Sequence, residues 1–561
     1  MGSILNPVEG NSFVDLAAFR DEDVFVDKTD FIAKISANIN KNKRLFAVTR
    51  PRRFGKTVTA DMLLAYYSKA YAGQDIFAGL KITNEEYKVS YAKHLNKYDV
   101  IYIDMNSIRN DYIAYAKDED QHVKGVTTIV DYLQYSIIEE LKENEMYAEL
   151  LDKSRNVGKL NLSSALEVIR TYTKEKFILI MDEWDLIYRE YRNDTDLQKS
   201  FIDFLSGLFK GKKGQASFAL AYLTGILPIK KYNSQSALND FNEYNMLAPG
   251  KFACYFGFTD NEVAEIAKSF AGSSDCKISL QQLKEWYEGY KIKGIDIYNP
   301  NSVVNAVSNN ECISYWSGTV SNEEVVRLIN MNFDGVRDDI LDLIAGGRVI
   351  FDCSNFENDM VTIKSKDDVF CLLVCLGYLG CEDNGGNYRL AYVPNREIRT
   401  VLTSIVKLQS WYNSMPIIER SEELFAAIQA LDSSKTAEVI AKIHNSPNVS
   451  LLSYNREDAL VFCVIAGLMW RTERDYECFR ELQSGKGSAD LIYAPRNNAS
   501  LPILLIEFKY DTSAEDAMNQ IKEKEYFSRY RDGDYPNDVI LIGLNYDSKT
   551  KEHQCLIEKL G

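Results

Sequence analysis

The sequence is short of the residues that build metal clusters and membrane spans. It holds four histidines, His94, His122, His444 and His553, and ten cysteines with no Cys-x-x-Cys pair. Zinc clusters of closely spaced soft ligands are thereby excluded, and the cysteines read as reduced thiols, with Cys371 and Cys375 in an apolar run as core. The longest apolar runs, 459–470 and 370–381, are 12 residues each, too short to cross a bilayer. The start, MGSILNPVEG, lacks the basic and apolar regions of a secretory signal. Both absences point to a cytoplasmic protein without a membrane partner. Positive charge is also in deficit: 65 Lys and Arg against 81 Asp and Glu leave a net charge of −16. That excludes an extended basic surface for passive nucleic-acid binding and confines any such binding to a local site.

What is present is an ordinary globular balance, 46% apolar and 26% charged over 561 residues, enough for roughly three or four domains. Short apolar, β-branched runs recur at RLFAVT (44–49), YDVIYIDM (98–105), KFILIMDE (176–183) and SFALAYLTG (217–225), separated by helix-period segments at 58–72 and 130–151. Near-continuous apolar strands alternating with helices predict a parallel sheet covered on both faces. From about 259 to 345 the pattern turns helical. The stretch 367–408 reads as helix, strand, Asn-Gly-Gly turn, strand, helix, the order of a winged-helix-like module and equally of a packing hairpin. Helices and strands mix again from about 436. The expected organisation is therefore α/β multidomain: a first domain over 1–258, a helical middle region over 259–435, and a further α/β domain over 436–561.

The segment RPRRFGKT (50–57) follows the first strand and opens a helix. This is the setting of a phosphate loop, in which backbone N–H groups at the helix start hold an anion. In the pattern G-x-x-x-x-G-K-[ST], Gly55 lets the backbone approach closely, Lys56 reaches the β/γ-phosphates and Thr57 offers its hydroxyl to Mg²⁺. The first glycine is replaced by Arg50, and Pro51 holds Arg50 extended. Arg50, Arg52 and Arg53 are expected to compensate by charge. FILIMDE (177–183) ends an apolar strand in two acids, placing Asp182 to hold Mg²⁺ through water and Glu183 to polarise an attacking water. A third strand ends at Thr224-Gly225, where a hydroxyl would sense the γ-phosphate or merely begin a turn.

A second constellation lies in ECFRELQSGKGSADLIYAPRNNASLPILLIEFKYD (477–511). SADLIYAP and LPILLIEFKY read as two strands joined by a polar turn at 496–500. The midpoint of Asp490 and Glu507 is (490 + 507)/2 = 498.5, inside that turn, so the two carboxylates should face each other across a hairpin with Cβ atoms about 5 Å apart. Two carboxylates so close repel unless a cation lies between them, and a hard divalent ion such as Mg²⁺ suits oxygen ligands. Lys509, two residues past Glu507, shares its face and can stabilise developing phosphate charge. Asp followed by Glu-x-Lys on a hairpin suits metal-assisted phosphodiester hydrolysis. The helical segment 511–530 presents Gln520, Lys524 and Tyr526, and the one over 455–469 offers Glu457.

Taken together the chain resembles bacterial AAA-ATPase-like proteins that carry a C-terminal PD-(D/E)XK nuclease-superfamily domain. The matching pieces are FVDKTDFI (25–32), RPRRFGKT, LIMDEWD (179–185), LTGILPI (223–229), FGFTDNEV (256–263), WYEGYKI with IYNP (286–300), YWSGT (315–319), GYL with VPNREI (377–398), SADLI, IEFKY and QIKEKEY. They run in order over nearly the whole chain. The resemblance implies that Arg50 in the first glycine position is the family's own form of the loop, and that Arg50 to Thr57, Phe54 included, form the ATP site. It further implies a P-loop NTPase sheet, a restriction-endonuclease-like C-terminal domain, Mg²⁺ at Thr57 and Asp182 with Glu183 beside it, and a second centre at Asp490, Glu507 and Lys509. Glu457 and Gln520 match its flanking helices. One departure stands out: the chain reads GKGSAD where members often carry Gly-Arg before the Asp.

The expected function is ATP binding, with hydrolysis, controlling a Mg²⁺- or Mn²⁺-dependent nuclease acting on DNA or RNA, an architecture suited to defence or mobile-element biology. The rivals are an ATP-switched interaction protein whose nuclease fold is an inactive binding platform, and an ATPase motor. A motor requires a homo-oligomeric ring with an arginine from a neighbour, and no arginine in the sequence declares itself for that role.

Overall fold

In the computed structural model the described residues are 3–4, 10–20, 24–118, 122–153, 161–210, 212–229, 238–271, 277–316, 321–354, 356, 363–408, 415–445, 457–472, 475–484, 487–496, 501–528 and 538–560. The turn residues 497–500, residues 317–319 of YWSGT, Gly485 and Lys486 of GKGSAD, and the side chain of Glu457 lie outside the described set. The chain forms two compact units, one of residues 1–320 and 350–401, the other of 321–349 and 402–561. The helical stretch 259–435 is thus shared between them.

The first unit is built on a six-stranded sheet of β1 (Ser3–Ile4), β2 (Leu45–Thr49), β3 (Val100–Asp104), β4 (Phe177–Asp182), β5 (Phe218–Gly225) and β6 (Asn242–Tyr244), in the order β1-β3-β4-β5-β2-β6. Every pairing is parallel. All residues of β2, β4 and β5 are buried, which is why these strands read as unbroken apolar runs. Successive residues serve opposite faces. Leu45, Ala47, Leu179, Met181, Ala221 and Leu223 join one core, with residues of the helices Ile129–Lys142, Leu162–Thr173 and Thr195–Phe209. Phe46, Val48, Ile178, Ile180, Leu220 and Tyr222 join the other, with the helices Asp30–Ser36 and Lys56–Tyr67. Because β5 lies between β2 and β4, the loop after β2 and the acids ending β4 stand at the same sheet edge, one strand apart, where parallel α/β sheets bind ligands.

Beyond this sheet the unit adds β7 (Phe258–Thr259), β8 (Tyr290–Ile292) and β9 (Ile295–Tyr298), then β10 (Val349–Asp352), β11 (Gly380–Asp383) and β12 (Tyr388–Tyr392), in two three-stranded sheets. The helix Lys366–Leu376, β11, the Asn-Gly-Gly turn, β12 and the helix Arg396–Leu408 follow the order expected from the sequence. Gly385 and Gly386 take φ of 90° and 59° there, a conformation that favours glycine.

Three of the sequence landmarks meet at one buried carboxylate. Glu397 of VPNREI accepts the Ser302 hydroxyl at 2.8 and 2.9 Å and the backbone N–H groups of Tyr315 and Trp316 at 2.8 and 3.1 Å. Ser302 follows IYNP, whose Asn299 caps the helix Pro300–Asn309. Burial pushes Glu397 up from 4.5 to about 7 against these hydrogen bonds. Glu397→Ala would strand several buried donors, and we expect it to destabilise this unit by about 2–4 kcal/mol. Between the two pKa values the native chain holds a proton that the unfolded chain has released, so this group's contribution makes stability fall as pH rises from 4.5 to about 7. Thermal melts across that window should show the fall in wild type and a flatter profile in Glu397→Gln.

The second unit carries a mixed five-stranded sheet of β13 (Tyr476–Ser484), β14 (Gly487–Pro495), β15 (Ile503–Tyr510), β16 (Val539–Asp547) and β17 (Glu552–Lys559), in sequential order. Only β15 and β16 pair in parallel, joined by the helix Ala514–Glu523. Leu491, Leu504, Ile506, Ile540 and Ile542 face the helices Met415–Gln429, Ser433–His444 and Glu457–Thr472. Ile492, Ile503, Leu505 and Leu541 face Met518 and Ile521 of Ala514–Glu523. Among the described residues no helix is long and apolar enough to cross a membrane.

Candidate functional sites

In the first unit the chain leaves β2 and turns through Pro51–Gly55 into the helix Lys56–Tyr67. Gly55 caps that helix with φ 80° and ψ 21°, so its glycine identity meets a conformational need. Arg53 is also left-handed at φ 67° and donates to the Tyr315 carbonyl. Phe54 is buried, edge-on to Tyr290 at 5.3 Å. Lys56 is 5% exposed and its Nζ donates to the Pro51 carbonyl at 3.0 Å. Burial lowers its pKa, while Glu183, Asp182 and Asp185 raise it. Thr57 donates its hydroxyl to Asp182 Oδ2 at 2.6 Å, joining the loop to the end of β4. Burial, then the neighbouring Glu183, push Asp182 up to about 7, an arrangement that a cation would relieve. Glu183 has φ 52°, uncommon for a glutamate and a mark of local strain. Burial opposes its ionisation, but Lys56, Arg189 and Arg52 together hold it below the usual carboxylate range.

These groups open on a cavity of about 850 Å³, of the size of small-molecule sites. Arg52, Lys56, Thr57, Glu183 and Arg189 line its polar part, while Phe13, Val24, Val26, Met62, Phe258 and Val304 supply apolar wall.

Three expected ligands do not line it: Asp182, which touches the lining residue Thr57, and Arg50 and Thr224. Arg50 is fully buried and donates to the carbonyls of Thr49 at 2.8 Å and Tyr244 at 3.1 Å, with Phe252 at 3.5 Å and the Phe256 ring 5.3 Å from its guanidinium carbon. Its N–H bonds the Gly225 carbonyl at 3.1 Å. The side chain ties the end of β2 to the segment after β5 instead of compensating for the lost glycine. Burial lowers its pKa to about 10. Thr224 is likewise fully buried and gives its hydroxyl to the Val48 carbonyl at 2.9 Å, so it braces β5 against β2.

Sequence reading missed Asp185 and Arg189. Asp185 is fully buried and accepts the N–H groups of Ile226 and Leu227 at 3.3 and 2.9 Å and Arg189 Nε at 3.1 Å. A Cβ at Gly225 would lie 2.4 Å from its Oδ1, which explains the glycine of LTGILPI. Arg189 also pairs with Glu183. The i,i+4 spacing of Asp185 and Arg189 was the available signal.

In the second unit β14 and β15 pair as Leu491↔Ile506, Ile492↔Leu505 and Tyr493↔Leu504. Asp490 and Glu507 are the next pair in that register, and Asp490 Oδ2 accepts the Phe508 N–H at 2.8 Å. Glu507 is 1% exposed, and its Oε2 is a buried oxygen without a hydrogen-bond partner. Burial, then Asp490, push it up to about 7. Lys509 Nζ lies 3.3 Å from Glu507 Oε1 and donates to the Phe508 carbonyl at 3.0 Å. Gln520 donates to Glu507 and, at 3.1 Å, to the Tyr526 hydroxyl. It reaches Glu507 because Gly543, paired with Glu507 on β16, admits the helix Ala514–Glu523: a Cβ there would sit 2.6 Å from the Ala514 carbonyl. Lys524 lies near Gly487, where a Cβ would come 3.7 Å from its Cδ.

An orphaned buried oxygen between repelling carboxylates fits a divalent cation. Among the described residues no three His, Cys, Asp or Glu side chains form a metal-ready group, so a metal at Asp490 and Glu507 would complete its shell with backbone oxygen and water, as Mg²⁺ commonly does. Gln520→Ala is expected to weaken Mn²⁺ binding here by about 10–100-fold, the range for groups that orient metal ligands; calorimetric titration checks it.

Residues 10–233 match the family described as Predicted AAA-ATPase, and residues 461–554 match the PD-(D/E)XK nuclease superfamily. The chain joins an AAA-ATPase-like domain to a PD-(D/E)XK nuclease-superfamily domain. Arg52 to Thr57, Asp182, Glu183 and Arg189 fall within the first span, and Asp490, Glu507, Lys509 and Gln520 within the second, while Phe258 and Val304 of the cavity wall lie beyond the first. A relative from Azotobacter chroococcum mcd 1, described as an uncharacterized protein in the vnfD 5′ region, is 21% identical over 563 residues, covering 96% of each chain. Among solved structures, the AAA-ATPase-like chain overlaps the Aeropyrum pernix ORC2 protein (13% identity, TM-score 0.27) and Cdc6p of Pyrobaculum aerophilum (12%, TM-score 0.23), in each case over 68% of this chain and 93% of the other. Overlaps this loose say nothing further about the protein.

Proposed function

We propose that the protein binds and hydrolyses ATP with Mg²⁺ and that its nucleotide state controls a Mg²⁺- or Mn²⁺-dependent nuclease acting on DNA or RNA. The observation that carries the nuclease half is the buried Glu507 oxygen left without a partner beside Asp490, with Lys509 on the same strand. Asp490 and Glu507 would hold the metal, which when bound supplies Lewis-acid stabilisation and a water nucleophile. Gln520 orients Glu507, Lys509 offsets charge developing on the phosphate, and Glu457 is the further carboxylate implied by the family's flanking helix. In the ATPase half, Lys56 and the N–H groups at the helix start hold the phosphates, with Arg52, Arg53, Phe54 and Gly55 shaping the loop. Thr57 and Asp182 would hold Mg²⁺, and Glu183 receives the proton of the attacking water. The chain passes between its two units at 320–321, 349–350 and 401–402, connectivity that supports coupling. The setting we propose is the bacterial cytoplasm, in defence or mobile-element biology, an inference by architecture.

The net charge of −16 favours a second reading, an ATP-switched interaction protein whose nuclease fold is an inactive platform. Incubation of labelled single- and double-stranded DNA and RNA with Mg²⁺ or Mn²⁺, with and without ATP, separates the two. Metal-dependent cutting that ATP alters supports the nuclease; intact substrates under every condition support the platform.

A further inference from the structure

Lys56, Arg52 and Arg189 line the same polar wall of the cavity. Three cationic side chains thus face one space, and the N–H groups at the start of the helix Lys56–Tyr67 open on the same side, the setting of an anion site. The carboxylates among them do not settle the balance: Glu183 is paired with Arg189, and Asp182 is occupied by Thr57 and the Glu183 N–H. Arg189 is held for reach. Its Nε is anchored at 3.1 Å on Asp185, itself fixed by the N–H groups of Ile226 and Leu227, so the outer guanidinium nitrogens project toward Glu183. A guanidinium has five donors, and these two bonds use two of them.

We propose that Arg189, assisted by Arg52, contacts the γ-phosphate of bound ATP from within the same chain, giving up its pair with Glu183 and thereby freeing that carboxylate to take the proton of the attacking water. This rests on the ATP-binding reading above and adds to it the source of the arginine and the order of events. In the step itself the water oxygen bonds to the γ-phosphorus, the bond to the β,γ-bridging oxygen breaks with its electron pair leaving on ADP, and Glu183 takes the water proton. Arg189 and Arg52 offset charge on the transferring group, the part an arginine plays in phosphoryl transfer whether supplied in cis or by a partner. While Glu183 is held by Arg189 its carboxylate is turned to the guanidinium and not to a water, so the site stays idle until a third phosphate competes for Arg189. ADP lacks that phosphate and leaves the Glu183 pair intact.

The test uses the full chain with Mg²⁺ and measures steady-state ATP hydrolysis over a wide range of chain concentration, together with ADP binding. The expected result is a specific activity independent of concentration. In Arg189→Ala, kcat should fall on the order of 10²–10³-fold, as when a preorganised donor to a transition state is removed, while ADP affinity stays within about threefold of wild type. Arg189→Lys should recover part of kcat, because it keeps the charge without the planar fork. Arg52→Ala should lower kcat by about tenfold with ADP affinity again kept. If Arg189→Ala fails to fold because Asp185 loses its partner, Arg52→Ala and the wild-type concentration series decide. Wild-type kcat in the folded arginine variants, or a specific activity that climbs with chain concentration, would overturn the proposal while leaving ATP binding standing. Absence of ATP and ADP binding in wild type would overturn both.

Discussion

Replacing Asp490 by alanine is expected to remove metal-dependent phosphodiester cleavage, by roughly 10³-fold, while leaving nucleotide binding at Lys56 as it was. The magnitude follows from what a divalent ion supplies, several kcal/mol of transition-state stabilisation, of which about 4 kcal/mol corresponds to that factor. The asymmetry follows from placement, since Asp490 belongs to the second unit and Lys56 to the first. Asp490→Ala also removes the neighbouring charge that, after burial, pushes Glu507 upward, so the variant should still fold in the absence of metal. Gel-based cleavage assays read the activity, and a parallel ATP titration reads the control. Cleavage unchanged in Asp490→Ala would move the metal centre elsewhere.

The second large effect is expected at Lys56. Alanine there should weaken ATP binding by about 2–3 kcal/mol, roughly 30–150-fold in Kd, the strength of a charge-assisted hydrogen bond. Lys56 is almost wholly buried, and in the structure its ammonium rests on the Pro51 carbonyl beside Glu183. Hydrolysis should fall together with ATP affinity, because the group that reaches the β/γ-phosphates is gone. Isothermal titration with ATP checks it, and retention of wild-type affinity would place the phosphates away from this loop.

Much of the architecture was legible because its signals are local. Strands buried on both faces must read as unbroken apolar runs, and β2 to β5 did. The register of Asp490 and Glu507 was readable because a short turn makes a hairpin symmetric about its midpoint. Arg50 was not readable in the same way: the direction of its side chain depends on Tyr244 and Phe252, about 200 residues away. Thr224 failed for a similar reason, since its hydroxyl answers to a carbonyl on β2. The convergence of IYNP, YWSGT and VPNREI on Glu397 spans 81 to 95 residues of sequence, and no local pattern encodes it. Arg189 was hidden by ordinary helix-face chemistry until Asp185 and Glu183 were placed around it.

The central claim, that nucleotide at one site governs metal-dependent cutting at the other, is tested most directly by one comparison. Cleavage of a labelled nucleic acid in Mn²⁺ is measured with and without ATP for wild type, Lys56→Ala and Asp490→Ala. The account predicts a rate that changes with ATP in wild type, loses that response in Lys56→Ala, and vanishes in Asp490→Ala. Equal cutting with and without ATP in wild type, or cutting that survives in Asp490→Ala, would contradict it.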